Sequence, residues 1–121
     1  MNRSETGRAA EEAAAEMLKA KGMSIVERNF RAKVGEIDLV ARDRDEIVFV
    51  EVRARASAGF GGAAASVGGS KRRKLMRAAS VWLVARGWTG PCRFDVVAVD
   101  GGSIGAGRCE HIPAAFEASG R

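Results

Sequence analysis

Histidine is almost missing from this chain of 121 residues: there is one, His111, alongside only two cysteines, Cys92 and Cys109. The cysteines are far from any CxxC spacing and have no histidine cluster beside them, so neither a zinc site nor a redox motif is indicated. Both are expected to be plain reduced thiols. His111, in Glu110-His111-Ile112, reads as a surface or strand residue rather than a catalytic base, which leaves nucleophilic Ser-His or Cys-His chemistry poorly supported. No apolar run approaches the ~20 residues that span a bilayer, and the start MNRSETGRAAEE is too polar for a signal peptide; the expected address is cytoplasmic, with no membrane partner. There is no internal repeat and no phosphate-loop pattern, and the length leaves room for one domain, 1–121, rather than two.

Hydrophobic residues make up 46% and charged residues 29% of the chain, ordinary usage for a sequence that folds. The net charge of +5 and the pI of about 9.9 attract polyanions, nucleic acid above all. Ala10, Ala13, Ala14, Met17 and Leu18 recur at helical spacing over 7–21, with Thr6 as N-cap and Gly22 as stop. Strands are expected over 24–30, 36–41 and 47–53, separated by turns at 31–35 and 42–45, and so forming an antiparallel meander. The third strand has apolar residues on both faces and should be central. The small, glycine-rich stretch 56–69 reads as a mobile loop. Ser70 then caps a second helix to Arg86, with Leu75, Ala78, Ala79 and Trp82 as its buried stripe and Gly87 as terminator. A strand follows Pro91 over 94–99, parallel to the third because a helix separates them, and 110–112 can add a short edge strand. Trp82 and Trp88 read as packing residues.

Residues two apart on a strand share a face, which pairs Glu36 with Asp38 and Glu51 with Arg53. The hairpin between them brings Asp38 and Glu51 to the same end of neighbouring strands. Glu51 interrupts an apolar strand, where an unpaired charge costs several kcal/mol by general estimates. Three partners can compensate it: Arg53, the basic residues of the second helix, or a divalent cation held by oxygen ligands.

The segments Gly7-Arg8-Ala9-Ala10-Glu11, Asn29-Phe30-Arg31, Gly35-Glu36-Ile37-Asp38-Leu39-Val40, Phe49-Val50-Glu51-Val52-Arg53-Ala54-Arg55, Lys71-Arg72-Arg73 and Arg93-Phe94-Asp95-Val96-Val97 occur in that order. From about residue 7 to residue 99 the chain resembles the YraN family, and through it the archaeal Holliday-junction resolvases and other restriction-endonuclease-like nucleases of the PD-(D/E)xK superfamily. The resemblance implies an α/β fold with a mixed central sheet in the order αβββαβ, flanked by helices. It also implies Mg or Mn as cofactor, metal-dependent phosphodiester hydrolysis, nucleic acid as partner with DNA the first expectation, and a homodimer. Carried over residue by residue, Asp38 and Glu51 match the metal-binding carboxylates, and Glu11 the acidic residue that some members supply from the first helix. Arg53 stands where the motif has lysine; it can stabilise a developing phosphorane charge but cannot act as a base.

Lys71, Arg72, Arg73, Lys74 and Arg77 crowd the N-terminal turns of a helix whose end already carries partial positive charge. Together with Arg55 they form the expected nucleic-acid-binding set, because a phosphate backbone relieves that conflict. Two other readings compete with a nuclease: a non-catalytic nucleic-acid-binding module with a degenerate site, and an assembly partner that self-associates through 56–69.

Overall fold

Ala10, Ala14, Ala15 and Leu18 give the first helix a face of small residues that can lie close on a sheet, and all four are buried. In the computed structural model, which describes residues 3–55, 68–100 and 109–116, this helix, α1, spans Arg3–Ala20. Thr6 therefore lies inside the helix instead of capping it. Lys21 and Gly22 close the last turn on the carbonyls of Met17, Leu18 and Lys19, and Gly22 takes a φ of 97° that favours glycine.

Three strands follow: β1 (Ser24–Ala32), β2 (Gly35–Asp43) and β3 (Glu46–Arg55). They form the expected antiparallel meander. Their turns are tighter than the polarity of 31–35 and 42–45 suggested, shrinking to Lys33-Val34 and Arg44-Asp45. Charged residues can occupy strand ends because only one face needs burial there; Arg44 makes the second turn with a positive φ of 61°.

The second helix, α2, spans Gly69–Arg86. Its N-cap is Gly68 and not Ser70, with no side-chain cap: extended backbone at Gly68 lets its carbonyl accept from Arg72 N–H, so the helix begins before the serine. Gly87 ends it in the left-handed conformation. Two further strands, β4 (Cys92–Asp100) and β5 (Cys109–Phe116), complete a sheet ordered β1-β2-β3-β4-β5. The β3–β4 pair is parallel, as the helical crossover requires, and β5 runs antiparallel to β4 at the edge. The glycine-rich 56–67 stretch lies outside the described residues.

The sheet separates two hydrophobic layers. Ile47, Phe49, Phe94 and Val96 pack with Leu75, Ala78, Ala79 and Trp82 of α2, while Val48, Val50, Val97 and Val99 pack with the alanine face of α1. Burial of each large side chain such as Phe49 or Leu75 contributes roughly 1.5–3 kcal/mol. Trp82 meets Phe49 edge-on with centroids 5.6 Å apart and Trp88 packs at the end of α2, so both are packing residues, as expected. Among the described residues no helix is long and apolar enough to cross a membrane.

Candidate active site

Strict alternation along β2 fails at one residue. Ile37 and Val40 pack toward α2, but Leu39 and Ala41 pack toward α1, which leaves Asp38 at the point where the strand slips. The β2–β3 ladder runs outward only as far as Leu39–Val50. Beyond it the Asp38 carboxylate takes over, accepting a hydrogen bond from Val52 N–H at 2.8 Å. Asp38 thus splices the strands together with its side chain and holds it beside Glu51.

Glu51 is only 4% exposed. Two cations offset the cost of burying it: Lys71 Nζ lies 3.1 Å from Glu51 Oε2, and an Arg53 guanidinium nitrogen lies 3.7 Å from the same oxygen. Of the partners considered for Glu51, the second helix supplies the nearer and its own strand the farther. Glu11 faces the group from α1; burial raises its pKa, the Asn29 side chain lowers it, and the charges of Glu36 and Glu51 raise it. Asp38 responds most strongly. Burial and the Glu51 charge, with a smaller push from Glu11, lift its pKa to about 7 against the pull of Val52 N–H and Lys71.

Glu11, Glu36, Asp38 and Glu51 line one cavity of about 1270 Å³, together with Arg31, Lys33, Arg53, Lys71 and Lys74. Its carboxylates are hard oxygen donors suited to a magnesium-like cation. The contacts to Val52 and Lys71 fall on one oxygen of each of Asp38 and Glu51, and a carboxylate has about four lone-pair sites in all. Among the described residues no three donors are gathered into a ready-made metal cluster. Such a donor set suits an ion bound by one or two carboxylates and completed by water and phosphate oxygens, the usual habit of magnesium.

The expected basic surface divides. Lys71 and Lys74 face the cavity, whereas Arg73 and Arg77, one turn apart, are exposed on a face outside the cavity lining. Arg72 stacks its guanidinium 5.1 Å over the Phe116 ring, so it is tied to the sheet. The Arg55 side chain lies outside the described residues. Arg31, at the end of β1, and Lys33, in the β1–β2 turn, join the lining; nothing in their sequence spacing marks them as binding residues. Glu36 and Asp38 line the same cavity, as their shared spacing predicts, with Glu36 exposed and Asp38 less so.

A second acidic centre lies on the α1 side of the sheet. Asp95 is fully buried and accepts from Arg93 Nε at 3.0 Å and Ala114 N–H at 2.9 Å, with His111 Nε2 at 2.7 Å. His111 is a strand residue, as expected, but its side chain is only 4% exposed, so it is not at the surface. Its Nδ1 faces Lys21 Nζ at 2.8 Å; an ammonium only donates, so Nδ1 accepts and Nε2–H donates to Asp95. Arg93 also reaches Asp43 and Glu46. Cys92 and Cys109 are free thiols.

A mixed five-stranded sheet between two helices, with carboxylates converging where β2 and β3 part, defines an α/β protein of the restriction-endonuclease-like kind. Residues 10–99 match the profile of "Uncharacterised protein family UPF0102", and the chain belongs to that family, the YraN family. It is 47% identical over 113 residues to a UPF0102 protein of Pseudomonas putida (strain W619), covering 92% of each chain. It is also 51% identical over 92 residues to one of Hahella chejuensis, covering 75% of this chain and 74% of that one. A third, of Alkalilimnicola ehrlichii, is 50% identical over 99 residues, 80% of this chain and 79% of its own.

Proposed function

We propose that this protein is a metal-dependent nuclease, hydrolysing phosphodiester bonds of nucleic acid at the Asp38–Glu51 cavity. The observation that carries the reading is the convergence of Asp38, Glu51 and Glu11 in a single cavity whose rim is cationic. Asp38 and Glu51 would hold a magnesium or manganese ion, and Glu11 lines the same cavity. When bound, such an ion lowers the pKa of a coordinated water and polarises a phosphate oxygen. The protein's own part is to orient and to balance charge. Val52 N–H fixes the Asp38 carboxylate, Lys71 and Arg53 set positive charge beside the buried Glu51 carboxylate, and Arg31, Lys33 and Lys74 offer the phosphate backbone its counter-charge. DNA is the proposed substrate, and the homodimer implied by the resolvase resemblance belongs to the same proposal.

Purified protein incubated with linear, single-stranded and four-way-junction substrates and magnesium or manganese should cut at least one of them, and Asp38→Ala should not. Binding without cutting on every substrate would instead favour the non-catalytic module.

A further inference from the structure

Glu51 carries two cations of unequal kind. Arg53 is on its own strand, yet its guanidinium stays at 3.7 Å, beyond hydrogen-bonding distance. Lys71 crosses from α2 to reach the same oxygen at 3.1 Å. Half of its side chain remains exposed, against 6% for that of Glu51, so the ammonium touches the buried carboxylate and still faces the open cavity.

The position of Lys71 is built, not incidental. Leu75, one turn on, is in the core, and the Lys74 backbone sits so close to Gly35 that a Cβ there would lie 2.6 Å from the Lys74 carbonyl oxygen. The first turns of α2 are therefore docked against the β1–β2 turn, next to Asp38. An ammonium is a compact charge with three rotatable donors, able to keep Glu51 with one and present another to an anionic oxygen; the planar fork of an arginine cannot divide itself so freely.

We propose that Lys71, and not Arg53, is the catalytic cation of this site, its ammonium meeting the scissile phosphate beside Glu51. This rests on the nuclease reading above. In the reaction, the oxygen of a water forms a bond to phosphorus as the bond from phosphorus to the leaving oxygen breaks. The water releases a proton to solvent and the leaving oxygen takes one up, so water is added across the P–O bond. Lys71 stays protonated throughout and stabilises the charge gathered on the phosphorane oxygens. The site thus obtains from a helix the lysine that its strand lacks.

The test compares wild type, Lys71→Met, Arg53→Met and the double variant Arg53→Lys/Lys71→Met. Each is assayed for manganese-dependent cleavage and, by calorimetry, for manganese binding, with thermal unfolding as the check on folding; Lys71→Gln replaces Lys71→Met if the latter unfolds. Lys71→Met should lower cleavage at least 100-fold and Arg53→Met less than tenfold. Lysine at 53 should restore at least tenfold of the loss, because it returns an ammonium to Glu51. Manganese should bind Lys71→Met at least as tightly as wild type, since a competing cation has gone. A greater loss from Arg53→Met, or no rescue in the double variant, overturns the proposal. A wild type that binds manganese but cuts no substrate sinks the nuclease reading and the catalytic role of Lys71 with it. In that case the manganese arm still identifies the cation seated on Glu51: tighter binding in Lys71→Met alone names Lys71, and tighter binding in Arg53→Met alone names Arg53.

Discussion

Asp38 and Asp95 are both carboxylates withdrawn into the sheet, and their surroundings treat them in opposite ways. Asp95 is met by Arg93, His111 and the Ala114 amide, so it is compensated on every side the fold presents. Arg93 would keep Asp43 and Glu46, but His111 Nε2–H and the Ala114 amide would lose their acceptor, so Asp95→Ala should cost at least about 2 kcal/mol in denaturant unfolding; a loss below about 1 kcal/mol would show the network to be dispensable. Asp38 instead faces Glu51 and Glu11, and its pKa rises from 3.8 to about 7. Folding therefore favours its protonated form. That contribution is fully present below the unfolded pKa and is lost as pH rises through about 7. Without metal, Asp38→Asn should melt several degrees above wild type at about pH 8, with the gap narrowing as pH falls toward about 4. The amide oxygen can still accept from Val52 N–H. A gap independent of pH would mean that Asp38 carries no such penalty.

Among the elements, α2 decides the geometry of the cavity, and it is held at both ends. At its start the backbone of Lys74 meets Gly35. Gly35→Ala should cost about 1–3 kcal/mol, because the neighbour that must move is backbone; wild-type stability for this variant would show that the helix is not seated there. At its end Trp82 Nε1 and Arg86 both donate to Glu27 of β1. Much of this scaffold was legible in the sequence. The 3.6-residue recurrence of Leu75, Ala78, Ala79 and Trp82 named the inner face of α2, and apolar residues on both faces of 47–52 marked the central strand. The convergence of Asp38 and Glu51 followed from hairpin arithmetic. What escaped were features set by how elements pack on each other. The slip at Asp38 depends on a side chain replacing a ladder bond, and Lys71 at Glu51 depends on how far α2 slides along the sheet. Nothing in Arg93-Phe94-Asp95 announces partners in His111, which comes opposite Val97 only once β5 lies on β4, or in the Ala114 amide, which sits in the irregular stretch 113–115 of β5.

For the whole molecule, the net charge of +5 matters less than where it lies: carboxylates are sunk in the cavity and lysines and arginines stand around it. Charge reversal of Lys33 and Lys74 together should flatten the log–log salt dependence of nucleic-acid affinity by up to about 2 units, near 0.9 for each phosphate no longer neutralised. Reversal of Arg73 and Arg77, on the outer face of α2, should change the slope less; the opposite ranking would move the binding surface to that face. The most direct measurement of the central claim is a calorimetric titration of the metal-free protein with manganese. One ion should bind the wild type, with affinity at least tenfold weaker in Asp38→Asn and in Glu51→Gln while both variants remain folded. No binding to the wild type at millimolar manganese, or binding that both substitutions leave unchanged, would contradict the account.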